Sequence, residues 1–96
     1  FFPKNENIAY FDHDKLTFPL KLRHWQAGDR FQPLGMNGKS KKLQDFFSDL
    51  KLSRFEKKQV WLLESAGEIF WVVGYRIDER FKLNQSTKKI LMITTI

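Results

Sequence analysis

Ninety-six residues without a cysteine exclude a disulfide framework and a thiolate metal site, and set the expectation of one domain able to bury a core unaided. Ten Phe, three Trp and two Tyr supply that core, and no apolar run is long enough to cross a bilayer, so no membrane partner is expected. The net charge of +6 is concentrated: residues 21–58 hold ten Lys/Arg against four Asp/Glu, while the remainder hold seven of each, a segregation that suits either a polyanionic partner or a solvated face.

In chain order, residues 6–11 (ENIAYF) have strand-forming content, and Asp12-His13-Asp14 supplies a polar turn. His13 between two acids is not read as a metal site, because adjacent side chains of an extended segment point to alternating faces. Residues 19–25 alternate, placing Leu20, Leu22 and His24 on an inward face and Lys21, Arg23 and Trp25 on a basic, aromatic outward face. Ala27-Gly28-Asp29 makes a tight corner, with Asp29 a structural residue. It either bonds its own backbone or orients an arginine, and its partner is left open between Arg30, Arg76 and neither.

The stretch Pro33-Leu-Gly35-Met-Asn-Gly38-Lys39-Ser40 ends like a nucleotide-binding loop, but Pro33 stands where that loop needs its first glycine. Gly35 and Gly38 also have the spacing of a KH-type loop, yet no helix precedes them. What remains is a flexible loop, shaped by its glycines, that exposes amide N–H and ammonium groups.

Leu43, Phe46, Phe47 and Leu50 recur at i, i+3, i+4 and i+7, which predicts an amphipathic helix over 41–50 with Ser40 as its N-cap. Lys41 and Lys42 then sit in a first turn whose dipole repels them, a cost that a bound anion would offset. Ser53 and Glu56 form a capping box for a second helix over 54–59, carrying Arg54, Lys57 and Lys58. Two apolar runs, 60–63 and 69–73, predict central strands joined by a hairpin at Gly67, with Trp61 and Trp71 as core. Arg76 follows Gly74 at the end of a buried strand, and residues 90–96 form a last strand. No nucleophile is paired with a base and no metal-ligand set is present, so no catalytic residue is assigned.

These residues together resemble the C-terminal domain of the bacterial tRNA(Ile)-lysidine synthetase family. The likeness lies in Pro19-Leu20, Arg23-x-Trp25-x-x-Gly28-Asp29-Arg30-Phe31, Pro33-Leu34-Gly35-Met36, Lys41-Lys42-Leu43-x-Asp45-Phe46-Phe47 and Ile69-x-Trp71-x-x-Gly74-x-Arg76-Ile77-Asp78. It implies an α+β fold, a β-rich, sandwich-like mixed or antiparallel sheet with two short helices, spanning 1–96 as one domain. The chain, opening Phe1-Phe2-Pro3 without an initiator Met, is then expected to be a fragment of a larger cytoplasmic enzyme.

The enzyme so implied joins lysine to cytidine 34 of a minor isoleucine tRNA, using ATP with Mg in an N-terminal catalytic domain of the same chain, and this fragment needs no cofactor. The fragment's implied role is to grip tRNA, at the acceptor stem, with Arg23, Lys39, Lys41, Lys42, Arg54, Lys57 and Arg76 as phosphate or ribose contacts. Gly28, Asp29, Gly35 and Gly38 are expected to shape the loops. The alternative is a module that docks on the catalytic domain or forms a homodimer without touching RNA.

Overall fold

In the computed structural model, residues 7–95 are described. The opening Phe1-Phe2-Pro3, Glu6 of the first predicted strand and Ile96 of the last lie outside them.

The fold is built on the hairpin of β5 (Trp61–Ser65) and β6 (Glu68–Val72). Ala66 (φ 49°) and Gly67 (φ 84°) make its turn, both left-handed, as a two-residue connection matching the twist of paired strands requires. Glu64 pairs with Ile69 and Leu63 with Trp71, so Phe70 is an extra residue in β6. That bulge puts Phe70 and Trp71 into one hydrophobic cluster, while Ile69 and Val72 enter another. One strand therefore feeds two cores.

β2 (Lys21–His24) and β7 (Arg76–Ile77) complete a four-stranded antiparallel sheet in the order β2-β5-β6-β7. One face is covered by α1 (Leu43–Asp49) and by a ribbon of β3 (Arg30–Phe31) and β4 (Lys41–Lys42). Phe31, Leu43, Phe46 and Phe47 pack there on Leu62, Ile69 and Val72. A further helix, α2 (Arg54–Gln59), leads into Val60 of the same cluster. On the opposite face, β1 (Ile8–Asp12) and β8 (Ile90–Thr94) pair antiparallel, and Phe11 packs on Phe70 and Trp71. The expected α+β class and two short helices are present, and every strand pairing among the described residues is antiparallel.

Three local expectations are corrected. The first helix begins at Leu43, because Lys41 and Lys42 pair with β3 as a strand; Lys42 is its N-cap and no side chain caps it. Ser40 instead accepts a hydrogen bond from Arg30 Nε at 2.9 Å. Leu20 packs against a core cluster and Lys21 is exposed, as expected, but the sides are exchanged from Leu22 on: Leu22 is 55% exposed and His24 exposed, while Arg23 is half-buried and Trp25 packs against the core. An arginine turns inward here because two carboxylates meet it. Trp61, expected in the core, is exposed at the start of β5, whereas Trp71 is buried as expected.

Ala66 carries the strain of a left-handed residue with a Cβ, which asparagine tolerates better. Ala66→Asn is expected to stabilise the domain by about 0.5 kcal/mol, raising Tm by roughly 2–4 °C in a thermal melt.

Candidate nucleic-acid interface

The corner leading into the ribbon is fixed by charge. Gly28 (φ 93°) closes a turn in which Asp29 N–H donates to Gln26 O at 3.1 Å and Gln26 N–H donates to Asp29 Oδ2 at 2.7 Å. The carboxylate then receives both ends of the Arg23 guanidinium, Nη1 at 2.9 Å and Nη2 at 3.0 Å. Arg23 Nε donates to Glu64 Oε1 on the neighbouring strand at 2.9 Å, and Nη1 also reaches His24 O. Arg23 is thus the partner of Asp29. With its donors turned to protein, it braces the corner instead of facing a ligand.

Hydrogen bonding to Asp29 holds the Arg23 guanidinium above its ordinary value despite the opposing effect of burial. Burial pushes the Asp29 carboxyl up, but the bonds from Arg23 and from the Gln26 amide outweigh it and leave the carboxyl below its usual range.

Beyond this brace the ribbon sorts its side chains by face. Phe31 lies opposite Lys41 and Arg30 lies opposite Lys42. Phe31 is buried, and Lys41 on its side forms an ion pair with Asp49 at the end of α1. Arg30 and Lys42 share the other side, both exposed. Like charges directly across a strand pair destabilise it, and neither has a carboxylate partner among the described residues.

Lys39 is exposed at the end of the preceding loop. Gly35 (φ 94°) and Gly38 (φ 79°) are both left-handed in that loop. It is not free, however: Leu34 N–H donates to Ile77 O at 3.0 Å and Gly35 N–H to Glu79 Oε1 at 3.3 Å. The chain then enters β4, not a helix, so the Gly38-Lys39-Ser40 tripeptide does not build a nucleotide-phosphate cradle. No group of three His, Cys, Asp or Glu able to hold a metal ion occurs among the described residues.

The capping box starts α2 as expected, Ser53 N–H donating to Glu56 Oε1 at 2.8 Å and Glu56 N–H to Ser53 Oγ at 3.0 Å. Arg54 and Lys58 project from it into solvent, while Lys57 leans over the Trp25 ring, 5.9 Å from its centroid. Arg76 is exposed and lies 5.5 Å from the Phe46 centroid. Of the seven expected contact residues, Lys39, Lys42 and Arg54 are exposed without an ion pair among the described residues, Lys57 and Arg76 rest on rings, Lys41 is paired, and Arg23 is half-buried between two carboxylates. Arg30 and Lys58 join the exposed set. Arg30 escapes sequence reasoning because a two-residue strand shows no period.

Elsewhere several cations are answered by acids, although Lys21, Lys88 and Lys89 are exposed with no ion pair among the described residues. Lys15 pairs with Asp12, Lys82 with Glu79, and Arg80 with both Asp78 and Glu68. Asp78 itself is fully buried, so Arg80 neutralises an interior charge.

The family described as TilS substrate C-terminal domain matches residues 20–93. The chain is 57% identical over 90 residues to the tRNA(Ile)-lysidine synthase of Parabacteroides distasonis, covering 94% of this chain and 20% of that protein. It is 46% identical over 92 residues to the tRNA(Ile)-lysidine synthase of Caldanaerobacter subterraneus subsp. tengcongensis, covering 96% and 20% respectively. The chain thus spans about one fifth of the length of these curated relatives. A solved structure titled as that of a TilS C-terminal domain has the same fold, with a TM-score of 0.75 at 24% identity, over 100% of this chain and 78% of that one.

The brace has a pH signature. A carboxyl whose folded pKa is depressed contributes stability above its unfolded value, about 4, and that contribution is lost as pH falls through the folded value. Asp29→Asn is expected to cost about 1–3 kcal/mol at pH 7, since it leaves a half-buried guanidinium short of a partner. In denaturant melts the difference from wild type is expected to shrink steadily below about pH 4.

Proposed function

The chain belongs to the TilS substrate C-terminal domain family, and on that premise we propose that it is the tRNA-binding module of a tRNA(Ile)-lysidine synthase. It grips the ribose–phosphate backbone and performs no chemistry itself. The observation that carries this reading is the cross-strand pair of Arg30 and Lys42, two like charges held side by side on an exposed ribbon with no acid among the described residues to answer them. A pair that weakens its own ribbon is compensated when a phosphate lies across it. Lys39, on the loop before β4, and Arg54 and Lys58, on α2, are exposed cations as well, while acids neutralise several cations elsewhere.

An A-form stem suits such a surface, because it offers phosphates and 2′-hydroxyls while its base edges are hard to reach. The acceptor stem of a minor isoleucine tRNA is the target this reading favours. ATP, with Mg, and the joining of lysine to cytidine 34 then belong to the catalytic domain in the remainder of the longer protein, working in the cytoplasm. Docking onto that domain accompanies RNA binding in this account and does not replace it.

Reversing both ribbon cations, Arg30→Glu with Lys42→Glu, is expected to weaken tRNA retention on a filter at least tenfold near 0.15 M salt. The slope of log affinity against log salt should also become shallower by about one for each lost phosphate contact. Lys41→Gln, which removes a cation already paired with Asp49, should change either quantity far less. Unchanged retention by the double reversal would count against the reading.

A further inference from the structure

Where β5 begins and β6 ends, Val73 N–H donates to Trp61 O at 3.0 Å, and α2 runs alongside. Between them lies an open groove lined by Phe55, Glu56, Gln59, Trp61, Val73 and Tyr75. Phe55 is 72% exposed, Trp61 44% and Tyr75 42%. Phe11, Phe31, Phe47, Phe70 and Trp71 are buried, so the domain does not lack an apolar interior. Three rings are gathered around one depression on the surface.

The platform is oriented in advance. His24 stacks on Trp61 with centroids 3.7 Å apart and planes 24° from parallel. A hydrogen bond of 2.9 Å joins His24 Nδ1 to Val60 O, and because a carbonyl only accepts, Nδ1 carries the hydrogen. The indole is therefore clamped on one side while it lines the groove. A ring already held in place loses little freedom when something stacks on it.

Size and charge narrow the occupant. The groove holds about 230 Å³, below the roughly 300–1,000 Å³ of sites that engulf a whole drug-sized molecule. It has room for one flat ring system. Gln59 brings an amide that both donates and accepts, and Glu56 brings an acceptor. A carboxylate on the wall repels phosphate, so a polyanion's charged groups are kept outside. Arg54 and Lys58, one helical turn apart, stand ready for them on the same helix.

We infer that this groove receives a single unpaired nucleobase of the bound RNA, stacked against Trp61 between Phe55 and Tyr75, with its phosphates on Arg54 and Lys58. The inference rests on the RNA-binding reading and deepens it. Unpaired bases on aromatic side chains are how proteins recognise RNA beyond its stems, and such stacking tolerates any base. An apolar protein segment would fill the rings equally well but would leave the α2 cations unmatched.

The test compares three RNA hairpins binding this chain: one blunt, one with a four-nucleotide unpaired 3′ extension, and one whose extension is abasic. The abasic arm carries the same phosphates without the bases. The extended hairpin is expected to bind roughly fivefold or more tightly than the abasic one, and to quench tryptophan fluorescence that Trp61→Phe removes. Phe55→Ala and Tyr75→Ala, both at exposed positions, should erase that advantage and leave blunt-hairpin binding intact. Equal binding of the extended and abasic hairpins, or an advantage that survives both substitutions, overturns the groove assignment alone. Failure of all three hairpins to bind overturns the RNA-binding reading, and the groove assignment with it.

Discussion

Everything in this domain leans on β6 being buried from both sides. Ile69 and Val72 face the layer of α1 and the ribbon, while Phe70 and Trp71 face the β1 and β8 pair. Fully burying four such side chains contributes on the order of 6–12 kcal/mol as an upper estimate, comparable to the whole net stability of a small domain. The bulge at Phe70 is what allows the division, since strict alternation would send Phe70 and Trp71 to different faces. Once both faces of one strand need cover, two layers must form. Arg30 and Lys42 belong to one of them, and Lys88 and Lys89 lead into the other.

The cations divide by whether an acid meets them. The Arg23, Asp29 and Glu64 cluster places a guanidinium against two half-buried acids, and in the second cluster Arg80 meets the buried Asp78 and the exposed Glu68; each joins different elements of the fold. They hold the fold and offer little to a partner. The ribbon, the loop before β4 and α2 present Arg30, Lys39, Lys42, Arg54 and Lys58 to solvent without such answers among the described residues. An ordinary surface cation contributes close to nothing to stability. Two of them held directly opposite each other, as Arg30 and Lys42 are, are therefore better explained by what they meet than by what they hold together.

Much of the scaffold was legible in the sequence because its signals are local. Ser53 and Glu56 are three residues apart and define the start of α2; Leu43, Phe46 and Phe47 repeat at helical spacing; Gly67 marks the hairpin. What escaped depends on distant partners. Arg23 reads as an outward cation until Asp29, 6 residues on, and Glu64, 41 residues on, are seen to meet it. Lys41 and Lys42 read as a helix start because β3 is too short to announce itself as their partner. Trp61 looks like core in a run of apolar residues, and only its pairing opposite His24 at the sheet margin shows why it is open. The candidate contacts were partly legible: the composition of residues 21–58 marked the charged region, but not which cations were already engaged.

The central claim is that RNA lies on the layer formed by the ribbon and α2. Amide chemical shifts of the isotopically labelled chain, followed as an RNA hairpin is titrated in, test it most directly. The account expects the largest changes at residues 30–31, 39–42 and 54–61, with β1 and β8 unaffected. Changes centred on Ile8–Asp12 and Ile90–Thr94, or none at saturating RNA, would contradict it.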